Sequence, residues 1–122
     1  MTDYRRLRVA LLGAGAVGSQ VAALLRQHAD ELADRAGARL ELVGIAVRNP
    51  DAPRDADLPR ELFTTDAETL ILGADIVIEL MGGIEPARTN LLQAIGSGAD
   101  VVTANKALLA THGPEIFEAA DQ

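Results

Sequence analysis

The stretch Leu7-Arg-Val-Ala-Leu-Leu-Gly-Ala-Gly-Ala-Val-Gly18 decides how this chain folds. Its first half is short and apolar, and it stops at Gly13, so Leu7–Leu12 reads as a buried strand. Its second half spells Gly13-x-Gly15-x-x-Gly18 and opens a helical pattern near Ala16. In that setting each glycine has a physical task. Gly13 permits a tight turn, Gly15 lets the backbone approach a pyrophosphate, and Gly18 lets the helix pack closely on the strand. The free N–H groups and positive dipole end of the helix face the phosphates. Gly13, Gly15, Ala16, Val17 and Gly18 are therefore candidate cofactor-binding residues, and Val17 is expected to turn its side chain toward the sheet.

Downstream, apolar runs of strand length alternate with helical patterns, which indicates parallel βαβ units. Val17, Val21, Leu24, Leu25, Leu32 and Ala36 repeat near 3.6 residues, predicting one helix with Gly37 as its stop. Leu40–Val47 is the second strand. Asn49–Arg60, with three prolines, is a surface loop. Leu62–Thr64 adds a short strand, and Thr65 with Glu68 suggests a capping box on a helix over 66–72. Asp75–Leu80 is a strand, followed by Met81-Gly82-Gly83 and a helix from Pro86 to Ile95. Asp100–Ala104 is the last strand, and the tail from Asn105 is helical with a break near Gly113-Pro114. The expected architecture is α/β, a doubly wound parallel sheet with helices on both faces, the Rossmann arrangement. It occupies residues 1–122 as one dinucleotide-binding domain.

Composition removes several function classes. A net charge of -7 argues against nucleic acid or anionic membrane as a partner. With no cysteine, disulfides, thiolate catalysis and Cys-ligated metals are excluded. No His or carboxylate spacing suggests another metal site, so none is expected. No stretch nears the roughly 20 apolar residues of a membrane span, and the basic start lacks a signal-peptide core. A cytoplasmic protein is expected.

The cofactor is expected to be NADP(H), with NAD(H) possible. A NAD site places an acid at the end of the second strand to hold the ribose 2′-OH. This strand ends Ala46-Val47-Arg48-Asn49, and an Arg48 guanidinium suits a 2′-phosphate; Arg54 reaches the same region from the loop. Ligands in such sheets lie beyond the carboxyl ends of the strands. Two further strand ends are therefore candidates: Glu79-Leu80-Met81-Gly82-Gly83, and Val101-Val102-Thr103-Ala104-Asn105-Lys106. Glu79 helps shape the first, with no role assigned. Lys106 is the one lysine beside ten arginines, and an ammonium can exchange a proton where a guanidinium cannot. His28, on the exposed side of the first helix, is discounted as a proton carrier, and His112, read as a loop or cap residue, is assigned no role.

Together Val9–Gly18, Val43–Asn49, Asp75–Gly83, Glu85–Arg88 and Val101–Ala107 resemble the amino-terminal, cofactor-binding domain of homoserine dehydrogenases. Thr-Ala-Asn-Lys at 103–106 is the most specific of these segments. The resemblance implies NAD(P)-dependent interconversion of L-aspartate 4-semialdehyde and L-homoserine, on the path to threonine and methionine. It implies that Lys106 lies beside nicotinamide and substrate as the catalytic proton carrier. Met81, Gly82, Thr103 and Asn105 would line the nicotinamide half of the pocket, and Arg48 would lie near the adenosine ribose. Family members continue into a substrate and dimerisation domain with a second catalytic lysine, absent from this chain. The expectation is thus a cofactor-binding part of a homo-oligomeric enzyme, without turnover by itself. Two alternatives stand beside it. One is another NAD(P)-dependent reductase of amino-acid biosynthesis, although a semialdehyde dehydrogenase needs a catalytic cysteine. The other is a stand-alone nucleotide-binding module that senses redox state.

Overall fold

The computed structural model describes residues 5–51, 58–103 and 105–121. Five strands, β1 (Arg6–Leu12), β2 (Arg39–Ala46), β3 (Phe63–Thr64), β4 (Ile76–Glu79) and β5 (Asp100–Thr103), alternate with helices. The helices are α1 (Ala16–Gln27), α2 (Ala29–Ala36), α3 (Ala67–Leu72), α4 (Ala87–Gly96) and α5 (Lys106–Ala120), and a 3-10 turn spans Arg60–Leu62. The sheet is parallel throughout, in the order β3-β2-β1-β4-β5. The chain winds outward from β1 through β2 to β3, then crosses back to lay β4 on the other side of β1. The point of reversal lies between β1 and β4, where open α/β sheets form a ligand crevice.

The strands finish level with one another. Thr64 pairs with Ala46, Ala46 with Leu12, Leu12 with Glu79 and Glu79 with Thr103, so the last rung of every strand forms one row. Successive side chains of β1 go to opposite faces. Ala10 and Leu12 join Ala46, Val77, Ile71 of α3 and Ala94 of α4 on one side, while Leu11 packs with Ile45 and Ala22 of α1 on the other. Ala87 and Leu91 of α4 meet Leu108 and Ile116 of α5 in a third cluster. Helices therefore cover both faces, as expected.

Four local readings are corrected. The first helix is two, parted at His28, whose N–H donates to the Leu24 carbonyl while its own carbonyl accepts from Leu32. The buried side of α1 is Gly18, Ser19, Ala22 and Leu25, whereas Val17 is 60% exposed and Leu24 48%. The first turns of α1 approach the sheet so closely that Gly18, Ser19 and Ala22 fill the contact, and Val17 and Leu24 are displaced to the flanks. Val17 accordingly does not face the sheet. Asp66 rather than Thr65 caps α3: its carboxylate accepts from the Thr69 N–H at 3.1 Å and the Thr69 hydroxyl at 2.7 Å. Finally, α5 runs unbroken through Gly113-Pro114. Burial of Leu108 and Ile116 against α4 on either side offsets the one hydrogen bond that proline cannot donate.

Candidate functional site

The described candidate cofactor residues lie at or just beyond the level row of strand ends, with Thr103 as its last member. Gly13 follows Leu12 with φ +106°, a backbone that only glycine adopts freely. A Cβ there would also stand 3.1 Å from the Met81 side chain and 3.2 Å from the Leu80 backbone. Its N–H is fixed to the Ala46 carbonyl at 2.8 Å. A Cβ on Gly18 would lie 2.5 Å from the Gly13 carbonyl oxygen, so this glycine sets how closely α1 can dock. Gly15 differs: a Cβ there would meet nothing within 4 Å. It caps α1 without any side-chain hydrogen bond, and the first turn, with Ala16 and Val17 exposed, carries no acid. The open space at Gly15 and the uncapped N–H groups together fit a pyrophosphate.

Arg48 lies two residues past β2, exposed, with no ion-pair partner among the described residues. The preceding Val47 N–H is tied to the Thr64 carbonyl at 2.8 Å, which anchors the base of the arginine. No acidic residue stands between Ala46 and Asn49. Arg54 falls outside the described residues.

The other two strand ends are joined by a buried network. Glu79 is 0% exposed. One carboxylate oxygen accepts from the Met81 N–H at 2.7 Å, and the other accepts from the Thr103 hydroxyl at 2.7 Å. The Thr103 oxygen accepts in turn from the Asn105 N–H at 3.1 Å. The Asn105 side chain caps α5 through the Leu108 N–H at 3.1 Å and donates to the Gly83 carbonyl at 2.5 Å. Asn105 is itself 6% exposed, so both ends of its amide are occupied by the protein. Gly82 and Gly83 have φ near +75°, at +75° and +74°, and are exposed. The structure thus brings Met81, Gly82, Thr103 and Asn105 together and gives Glu79 the central place among them. The signal available in the sequence was an acid closing an apolar strand, in register with the inward-facing Val77.

Lys106 begins α5, exposed, with no acidic partner among the described residues. A cation at the positive end of a helix gains nothing from the dipole, so local stability does not explain it. His28 is exposed and pairs with Glu31 at 3.5 Å. His112 lies inside α5, not in a loop. It borders a surface cluster in which Arg88 grips Glu115 through two hydrogen bonds of 2.5 and 2.8 Å. The Arg88 guanidinium holds the Glu115 carboxyl below its ordinary range, and the Thr89 hydroxyl does the same for Glu85, with His112 adding a smaller pull on both. Among the described residues no group of three or more His, Asp or Glu side chains could hold a metal ion. No described helix is long and apolar enough to cross a membrane.

A five-stranded parallel sheet, a glycine turn opening α1 and a crevice at the reversal of strand order define a dinucleotide-binding domain of the Rossmann class. Residues 13–122 match the family model described as the NAD binding domain of homoserine dehydrogenase. The chain belongs to that family. It is 45% identical over 120 residues to a homoserine dehydrogenase of Synechocystis sp., covering 95% of this chain and 27% of that protein. A homoserine dehydrogenase of Corynebacterium glutamicum is 49% identical over 115 residues, 93% of this chain and 26% of the relative. The crystal structure of a homoserine dehydrogenase from Thiobacillus denitrificans superposes with a TM-score of 0.80 at 40% identity, over 96% of this chain and 27% of that one. The chain thus spans about a quarter of the length of the relatives it matches. These likenesses give no support to a redox-sensing module or to another reductase.

Proposed function

We propose that residues 1–122 form the cofactor-binding domain of a cytoplasmic, homo-oligomeric homoserine dehydrogenase that prefers NADP(H) and also accepts NAD(H). Such an enzyme interconverts L-aspartate 4-semialdehyde and L-homoserine, and the nicotinamide supplies the site that gives or takes the hydride. The observation that carries the reading is the family match over residues 13–122, set on a glycine turn whose geometry fits a pyrophosphate. The backbone of Gly13, Gly15, Ala16, Val17 and Gly18 binds the phosphates, and Arg48 receives the 2′-phosphate. Met81, Gly82, Thr103 and Asn105 shape the nicotinamide end. Lys106 moves a proton to or from the substrate oxygen, since its ammonium is exposed at that edge and unpaired among the described residues. Residues that enclose the substrate and join subunits belong to a further domain, and nucleic acid and membrane are not partners.

Isothermal titration of this chain with NADPH, NADP+ and NADH tests the reading. Binding of NADPH at least several-fold tighter than NADH is expected. Absence of binding to all three would overturn the proposal, and equal affinities would overturn the NADP(H) preference alone.

A further inference from the structure

Glu79 is the one ionisable side chain among the described residues that is wholly buried, and it lies at the rim of the sheet rather than in its middle. Burying a carboxylate is costly, and an apolar pair of similar size would serve the packing as well or better. Its position, not its stability, therefore needs explaining. Its two oxygens receive donors from two neighbouring strand ends, the Met81 N–H in the loop after β4 and the Thr103 hydroxyl on the last residue of β5. Through Thr103 the connection reaches the Asn105 N–H, and Asn105 returns to the first loop by its bond to the Gly83 carbonyl. The result is a closed hydrogen-bonded ring through residues 79, 81, 83, 103 and 105. A ring with every member satisfied admits one arrangement of both loops.

We propose that Glu79 is a positioning residue, which fixes the two loops as one rigid cradle for the nicotinamide half of the cofactor. The inference rests on the dinucleotide reading above. The glycine turn has anchors of its own, the Gly13 N–H on the Ala46 carbonyl and Gly18 against the Gly13 carbonyl. Loosening Glu79 therefore frees the nicotinamide end while leaving the adenosine and phosphate end in place.

The test compares NADP+ with 2′,5′-ADP, which keeps the adenosine end and lacks nicotinamide. Wild-type chain, Glu79→Gln and Thr103→Val are titrated calorimetrically with each, after circular dichroism confirms folding. Glu79→Gln keeps the shape but has a single acceptor oxygen, so it cannot accept from both the Met81 N–H and the Thr103 hydroxyl. Both variants are expected to bind NADP+ about tenfold more weakly and 2′,5′-ADP within twofold of wild type. Equal weakening of both ligands, or no change in either, would overturn the positioning role. So would a wild-type chain that binds NADP+ no tighter than 2′,5′-ADP. A wild-type chain that binds neither ligand would overturn the dinucleotide reading itself, and with it this inference.

Discussion

The hydroxyl of Thr103 donates to the buried carboxylate of Glu79 across 2.7 Å, joining the last rungs of β4 and β5. Thr103→Val leaves one carboxylate oxygen without its donor, and a buried acceptor so stranded costs about 1–3 kcal/mol. Urea unfolding should register that loss. The double substitution Glu79→Leu with Thr103→Val removes the stranded carboxylate but leaves the Met81 and Asn105 N–H groups without their acceptors, so it should recover only part of the lost stability. It should not recover NADP+ binding, because the Met81 N–H then has no fixed acceptor.

Alanine at three glycines of one turn should have three distinct outcomes. Gly18→Ala drives a methyl group into the Gly13 carbonyl, which lies 2.5 Å from its place, and overpacking of this kind costs about 1–3 kcal/mol. Gly13→Ala meets both a positive φ and the Met81 side chain, so it is expected to destabilise at least as much. Gly15→Ala meets open space and should melt like wild type while losing dinucleotide affinity. Thermal melts and titration with NADPH separate the three.

Arg48→Ala should weaken NADPH binding by about 10- to 100-fold, the worth of a hydrogen bond to a charged group. NADH binding should change little, and the difference between cofactors should shrink as salt is raised. An unchanged NADPH dissociation constant would remove Arg48 from the site.

Mixed with homoserine and NADP+, the chain should bind cofactor and form no NADPH at a steady rate. Lys106 alone does not enclose a substrate, and an exposed ammonium offers no oriented, dry site for hydride transfer. Absorbance at the NADPH band over an hour is a sufficient assay. Homoserine-dependent growth of that band would show that these residues suffice for the chemistry.

Acid should unfold the domain through its exposed carboxylates. The Arg8 backbone N–H, then its side chain, holds Asp75 below the ordinary carboxyl range; Thr69 does so for Asp66, Thr89 for Glu85 and Arg88 for Glu115. Each binds its proton more weakly when folded than when unfolded. Their contribution is complete above the unfolded value near 4 and disappears as pH falls through the lower folded values. The melting temperature should therefore decline below about pH 4. Arg88→Gln releases Glu115 and should make that decline shallower.

The sheet and its glycine turn are readable in the sequence because both are local. Most strands are short apolar runs, β1 stopped by Gly13 and β4 by Glu79, and Gly13, Gly15 and Gly18 belong to one continuous turn. What is not readable depends on contacts distant along the chain. The buried side of α1 is chosen by its approach to β1, so small residues win over Val17 and Leu24. Helix α5 crosses Pro114 because α4 offers Leu108 and Ile116 a partner. The part played by Glu79 depends on Thr103, 24 residues away, and no periodicity reports that pairing.

The level row Thr64–Ala46–Leu12–Glu79–Thr103 makes the crevice sensitive to counting. One residue added to or removed from a strand, unless absorbed by a bulge like the one that skips Val43 of β2 opposite Val9 and Ala10, would shift the loop it carries by about 3.3 Å and turn its side chains over. The glycine turn after β1, Arg48 after β2 and the loop after β4 would then no longer lie along one edge of the sheet. Length changes are tolerable in the connections beneath the sheet, such as the turn at Gly37, and inside a strand only where a bulge absorbs them, as in β2 at Val43. Insertions and deletions during divergence should therefore collect at one end of this domain and spare the other.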